Sequence, residues 1–414
     1  MTTVGIIAEY NPLHNGHVHH YREAKKISGA EHTVVVMSGP FTQRGEPAAV
    51  SKQARTEMAL HMGADLVLEL PVAYAVQPAE WFAHGAVALL EATGVVDSLC
   101  FGSEAGTLGS LLPLAAYLAD ESSELQGEIR RRMALGESFP AAYSAAAAVA
   151  WEGFLLGEEK PDGGSAAELL RQPNNSLGLH YLIALQRLKS KITPLTVPRT
   201  GAGFHDPLQH GSSIASATAI RRLLGEGGSP APYMPEYSLS ILERERAAGR
   251  GPLDWESFRI PLRHLLSTRT ADELRSFHDM NEGLENRLLR VMPELEQFTI
   301  EHLLQSVKSK RYTRTRLQRL LLHLLLGHSK EELASSALAE GPGYIRVLGF
   351  RESGRPLLKK MKQSATLPVV LRPALCPHPQ LTRDIQAAAA YAGAFQHPLR
   401  ADLYRDYLEP PVRV

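Results

Sequence analysis

Four short apolar runs in the first hundred residues constrain this chain more than any other feature, because a helical pattern follows each one. The runs are Val4–Ala8, His32–Ser38, Asp65–Glu69 and Ser98–Phe101; the patterns between them are Gly16–Ile27, Ser51–Met62 and Ala79–Thr93. The runs are mostly continuous rather than alternating in polarity, as in strands covered by helices on both faces. This alternation predicts βαβ units, a parallel sheet and right-handed crossovers. A further strand is expected at Lys191–Val197.

Residues Leu108–Glu152 read as helical, with the Ala-rich run Ala141–Ala150 suited to close packing. Gly157–Ser165 is polar and Gly-rich, which predicts a mobile loop. The texture changes at Gly225-Glu226-Gly227-Gly228-Ser229-Pro230, a linker composition. Beyond it the chain is mainly amphipathic helix, at Leu239–Ala248, Asp254–Leu266, Glu282–Val291, Leu295–Val307 and Thr313–Leu326. One strand is expected at Tyr344–Phe350, before a helical stretch ending near Lys362. The expected organisation is an α/β, Rossmann-like catalytic domain over residues 1–225 and a mainly α-helical domain over residues 226–414.

Lys and Arg number 44 and Asp and Glu number 44, so a nucleic-acid partner would need a local basic patch rather than a global charge. The two cysteines, Cys100 and Cys376, stand outside any CxxC or Cys/His cluster, so neither a structural zinc nor a disulfide framework is expected, and no metal ligands are assigned. The N-terminus enters a strand at once, without a basic segment and apolar core of a leader. No apolar run is long enough for a bilayer. A cytoplasmic protein without a stable protein partner is the expectation.

The chemistry is concentrated after the first strand. Ile7-Ala8-Glu9-Tyr10-Asn11-Pro12-Leu13 lead into His14-Asn15-Gly16-His17-Val18-His19-His20. A strand, a tight turn and a helix N-terminus form an anion site, where free N–H groups and the positive helix end meet the ligand. Gly16 permits close approach, and His14 and His17 fall on one face of the first turn. Such imidazoles can stabilise charge at an α-phosphate. A second element, Ala215-Ser216-Ala217-Thr218-Ala219-Ile220-Arg221, offers hydroxyls and an arginine fork for β- and γ-phosphates. The same residues also read as an ordinary N-cap followed by a solvated arginine.

Together these two elements resemble the nucleotidylyltransferase superfamily, although Ala215 and Ala217 stand where its usual Ile-Ser-Ser-Thr-x-Ile-Arg pattern has Ile and Ser. A closer resemblance runs through Gly5–His17, Met37–Pro47, Gly63–Pro71, Phe101–Glu104, Pro173–Gly178, Arg199–Asp206 and Lys310–Arg316. These blocks, in this order, look like the bacterial tRNA(Met) cytidine acetate ligase family. The resemblance implies that ATP and acetate form acetyl-adenylate and pyrophosphate. The acetyl group then passes to N4 of the wobble cytidine of elongator tRNA(Met). It implies an ATP site over Ile7–His20 together with Gly102, Asn175 and Arg199.

In the expected first step, acetate attacks the α-phosphate in line while His14 and His17 stabilise the equatorial charge and Mg2+ neutralises the leaving pyrophosphate. Lys308, Lys310, Arg311, Arg314, Arg316 and Arg319 form a basic tract for tRNA phosphates, with Tyr312 among them for stacking. Arg346, Arg351, Arg355, Lys359, Lys360 and Lys362 are a weaker second group. Gln43, Arg44 and Glu46 fall in an active-site loop without separable roles. The alternative reading is a nucleotidylyltransferase for a phosphorylated metabolite.

Overall fold

Residues 2–120, 122–154, 166–199 and 213–414 are described in the computed structural model; the expected loop Gly157–Ser165 and most of the Arg199–Asp206 block lie outside them. Eight strands form one sheet: β1 (Thr3–Ala8), β2 (His32–Ser38), β3 (Leu66–Leu70), β4 (Ser98–Ser103), β5 (Thr193–Pro198), β6 (Ile345–Phe350), β7 (Val369–Val370) and β8 (Val412–Arg413). Their order is β5-β4-β1-β2-β3-β6-β7, with β8 also on β6. The first five strands are mutually parallel, as the sequence pattern requires.

The order reverses between β1 and β4, the place where open parallel sheets bind ligands beyond the strand carboxyl ends. Those two strands are registered at their amino ends, Val4 opposite Ser98 and Gly5 opposite Leu99, so their carboxyl halves leave a crevice. Gly5 makes the junction possible. A Cβ there would meet Leu90 Cδ1 at 3.0 Å and Val96 Cγ1 at 3.1 Å.

Apolar residues cover both faces of the sheet. Helices Ala79–Thr93, Leu111–Ala119 and Pro173–Arg187 pack on one face through Leu90, Leu114 and Leu182. Helices Asn15–Ser28, Lys52–Met62 and Glu236–Ala247 pack on the other through Ala24, Met58 and Ile241. A separate core, containing Leu262, Leu288, Leu303 and Leu320, gathers the later helices and is joined by Phe41, Val72 and Val76 from the first half.

The sheet takes strands from both sides of residue 225. Strand β6 runs antiparallel to β3, with Leu66 opposite Phe350 and Glu69 opposite Arg346, and β7 and β8 extend the edge. It covers a β3 edge that would otherwise expose unpaired backbone groups. The expected strand Tyr344–Phe350 is therefore part of the catalytic sheet. The expected helix Leu295–Val307 shortens to Ile300–Val307, where Thr299 accepts from the His302 N–H as N-cap.

Buried charge fastens the two halves. Lys52 Nζ lies 2.7 Å from Glu69 and 2.8 Å from Asp406, and Arg346 approaches Asp406 at 3.6 Å. Burial opposes the ammonium charge, but Asp406 and Glu69 outweigh it and raise the Lys52 pKa. Removing one partner of such a group strands the others. Lys52→Met should lower unfolding free energy by about 3–5 kcal/mol, read as a drop in the urea midpoint; an unchanged midpoint would show that the network carries no net stability.

Candidate active site

The turn after β1 is built to aim two imidazoles. Tyr10, buried, holds φ at +48°, a left-handed conformation that costs a non-glycine residue about 1–3 kcal/mol. Three partners hold this turn. Arg55 Nη1 donates to the Glu9 carbonyl at 2.7 Å, Arg221 Nη1 to the Asn11 carbonyl at 2.9 Å, and the Ala49 N–H to Asn11 Oδ1 at 2.7 Å.

His14 then caps helix Asn15–Ser28. Its Nδ1 accepts from the Gly16 N–H at 3.1 Å, and His17 Nδ1 accepts from the His14 N–H at 3.2 Å. The two rings lie 3.8 Å apart. These bonds fix the tautomer: each Nδ1 is an acceptor, so each neutral ring carries its proton on Nε2. Burial, then the positive field of Arg199 and Arg221, pushes His14 down to about 3. Burial and His14 hold His17 well below its usual value. The N-terminus expected to present free N–H groups thus spends two backbone donors on imidazoles and offers Nε2–H donors instead. Gly16 has a second use, since a Cβ there would stand 2.9 Å from His14 Cε1.

These rings face a cavity of about 390 Å³ at the β1/β4 crevice. Ile7, Ala8, Glu9, Tyr10, His14, Gly16, His17, His19, His20, Gly102, Arg199 and Ser216 are on its wall. Gly102 opens directly onto the space, since a Cβ there would meet nothing within 4 Å. Phe82, Phe101, Leu177 and Tyr181 make an apolar side, and Arg44 adds a cation. No local pattern signals these aromatic residues, because their convergence depends on three separate elements. The Glu9 carboxylate accepts from the Gln43 N–H at 2.7 Å; burial raises its pKa against that bond and against Arg44 and Arg221.

Other expected ATP-site residues stand elsewhere. Leu13 is in the core and Val18 packs beside it. Asn11 and Pro12 shape the turn, and Asn15 Nδ2 donates to the Ser213 and Pro232 carbonyls. Asn175 is buried, its Oδ1 accepting from the Ala105 N–H and its Nδ2 donating to Gln172; Asn174 and Ser176 reach the cavity instead. Ser216 is on the wall, with its Oγ accepting from the Ala219 N–H as an N-cap. Thr218 is not on the wall, and Arg221 turns away to pair with Glu46 at 2.7 Å.

Comparison with known proteins gives the arrangement its family. A profile described as HIGH Nucleotidyl Transferase matches residues 1–405. A protein of Acetivibrio thermocellus is 40% identical over 90% of this chain and 88% of its own length, and one of Lysinibacillus sphaericus is 39% identical over the whole of both. Both are named tRNA(Met) cytidine acetate ligase. The crystal structure of Thermotoga maritima TmcAL bound with alpha-thio ATP superposes with a TM-score of 0.90, at 34% identity over the whole of both chains. The chain belongs to the tRNA(Met) cytidine acetate ligase family.

The basic tract of this family member is largely neutralised. Arg311 and Arg316 pair with Glu282 at 2.5 and 3.5 Å, and Arg314 pairs with Glu301 at 2.7 Å. The Arg319 side chain is 12% exposed beside Asp279. Tyr312 is 8% exposed and donates its hydroxyl hydrogen to the Glu282 carbonyl, so its ring is not free to stack on a base. Lys308 and Lys310 are exposed and make no ion pair among the described residues. In the second group, Arg346 is buried, whereas Lys359, Lys360 and Lys362 are exposed. No helix of the described residues is long and apolar enough to cross a membrane.

One described group has the spacing of metal ligands: the donor atoms of His278, Asp279 and His323 lie within 4.8 Å of one another. Arg319 Nε stands 4.0 Å from the same Asp279, which already gives that carboxylate a cation.

The lowered histidines imply acid sensitivity. Below pH 6.5 the unfolded chain binds protons that His14, at about 3, and His20, at about 4, refuse in the folded state. Stability should therefore hold above about pH 6.5 and fall toward pH 4, by up to about 1.4 kcal/mol per pH unit for each ring. Urea unfolding across that range measures it, and a flat profile would contradict the neutral assignment.

Proposed function

We propose that the chain is an ATP-dependent ligase. It activates acetate to acetyl-adenylate with release of pyrophosphate, and transfers the acetyl group to N4 of the wobble cytidine of elongator tRNA(Met). The product is N4-acetylcytidine. The observation that carries this reading is the end-to-end similarity to relatives of that name, in a chain whose paired Nε2–H donors face the switch-point cavity.

In this reading the adenine lies against Phe82, Phe101 and Leu177, and Gly102 leaves room for the ribose. Arg44 and Arg199 attract the triphosphate. The oxygen of acetate attacks the α-phosphorus in line, and His14 and His17 donate to its equatorial oxygens as charge builds. As neutral donors with fixed Nδ1 partners they need no reorganisation during the step. Mg2+, when bound, neutralises the leaving pyrophosphate. The described cavity wall contributes one carboxylate, Glu9, a donor set that fits an ion held chiefly by phosphate oxygens and water. Lys308 and Lys310 are the free cations of the tract and take tRNA phosphates.

Two variants test the halves separately. His17→Ala should reduce acetate-dependent ATP–pyrophosphate exchange about 10²–10³-fold with the fold retained; normal exchange would remove His17 from the reaction. Lys308→Glu with Lys310→Glu should weaken tRNA binding and lower its salt slope by about two. Unchanged affinity at matched salt would remove the tract from tRNA recognition.

A further inference from the structure

A second cavity, of about 320 Å³, lies beside the first, between the loop after β2, helix Ala217–Gly225 and the later helices. It is at the lower end of the range of about 300–1,000 Å³ that holds small ligands. Its wall includes Glu46, Arg221, Trp255, Glu301, Arg314 and Gln318. The two cavities share a partition. Helix Ala217–Gly225 has Ala217 on the first and Arg221 and Leu224 on the second. The Arg221–Glu46 pair, at 2.7 Å, closes the gap, with Arg221 also held by the Asn11 carbonyl. On the first side, Gln43 and Arg44 of the same loop reach the wall with Glu9.

Gln318 carries the chemical clue. It lines the cavity, and among the described residues its side-chain amide makes no hydrogen bond, so its polar atoms are open to what enters the cavity. Its carbonyl accepts and its NH2 donates, a pair that matches an exocyclic amine next to a ring nitrogen acceptor. Trp255 supplies a flat apolar wall of the kind on which an unstacked base rests. The loop that shapes this wall is fixed in place. Gly45 sits at φ +74°, where a Cβ would lie 2.4 Å from the Arg319 N, so the Gln43–Pro47 turn presses on the helix that bears Gln318.

We propose that this second cavity receives the single amine-bearing nucleobase that accepts the acetyl group, with Gln318 reading its amine edge. The inference rests on the ligase reading above. When the Arg221–Glu46 pair opens, the base amine reaches and attacks the acetyl carbonyl. A C–N bond forms and the C–O bond to phosphate breaks. AMP leaves with the electron pair, and the amine proton passes to the Glu46 carboxylate. A pyrimidine amine fits the one-edge contact that Gln318 offers.

Gln318→Leu and Leu224→Trp test the pocket by opposite means, one deleting the polar contact and the other filling the space. With the full-length protein and elongator tRNA(Met), both variants should keep acetate-dependent ATP–pyrophosphate exchange within about twofold. Both should lose acetyl transfer by about tenfold or more, with tRNA affinity little changed. Full transfer in both variants, with exchange intact, would overturn the pocket. Wild-type protein without acetate-dependent exchange would instead overturn the ligase reading beneath it. If Gln318→Leu loses exchange as well, the amide serves the fold rather than the base, and the assignment of Gln318 falls.

Discussion

Arg55 is the constraint on which the site depends. Its side chain is fully buried, and its guanidinium donates to four backbone carbonyls: Val50 at 3.2 Å, Glu9 at 2.7 Å, Ser38 at 3.0 Å, and Gly39. The last three stand where β1 and β2 end and the loops to the site begin, and Val50 just before the helix that bears Arg55. Burial lowers its pKa to about 10, against the raising effect of Tyr391, Glu9 and Glu69, so the group remains charged at neutral pH. A buried cation without its acceptors would be prohibitively costly. The carbonyls must therefore converge on it, and that convergence places Glu9 and the strained Tyr10 turn ahead of the two imidazoles.

The second half of the chain is fastened to this edge by polar groups of the same kind. Asp384 accepts from the Val72 N–H and from the Tyr344 hydroxyl, and the Tyr391 hydroxyl donates to the Ala48 carbonyl at 2.7 Å. Burial and the charge of Glu69 push Asp384 well above the usual carboxylate range. The later helices are thereby fixed against the loop after β2, where Gly45 lies against Arg319 and whose Gln43 and Arg44 reach the ATP-site cavity.

The sheet was legible in the sequence because buried parallel strands print themselves as short apolar runs. Strand β6 was legible too, but its partner was not: Glu69 and Arg346 are 277 residues apart, and no local pattern links them. At the site, His14 and His17 were legible as a pair. Their tautomers were not, since these follow from which backbone N–H each Nδ1 meets. The spacing of Arg221 predicts a phosphate ligand, but Glu46, on a loop far away in the chain, sets its direction. The basic tract was visible as charge, but Glu282, Glu301 and Asp279 come from other segments and cancel most of it.

The most direct measurement is transfer of radiolabelled acetate to purified tRNAs by the full-length protein, with ATP present or omitted. The account predicts label only with ATP, only in elongator tRNA(Met), and recovered as N4-acetylcytidine after digestion. Label in no tRNA, from folded protein that binds ATP, would contradict it and leave a nucleotidylyltransferase acting on a smaller acceptor.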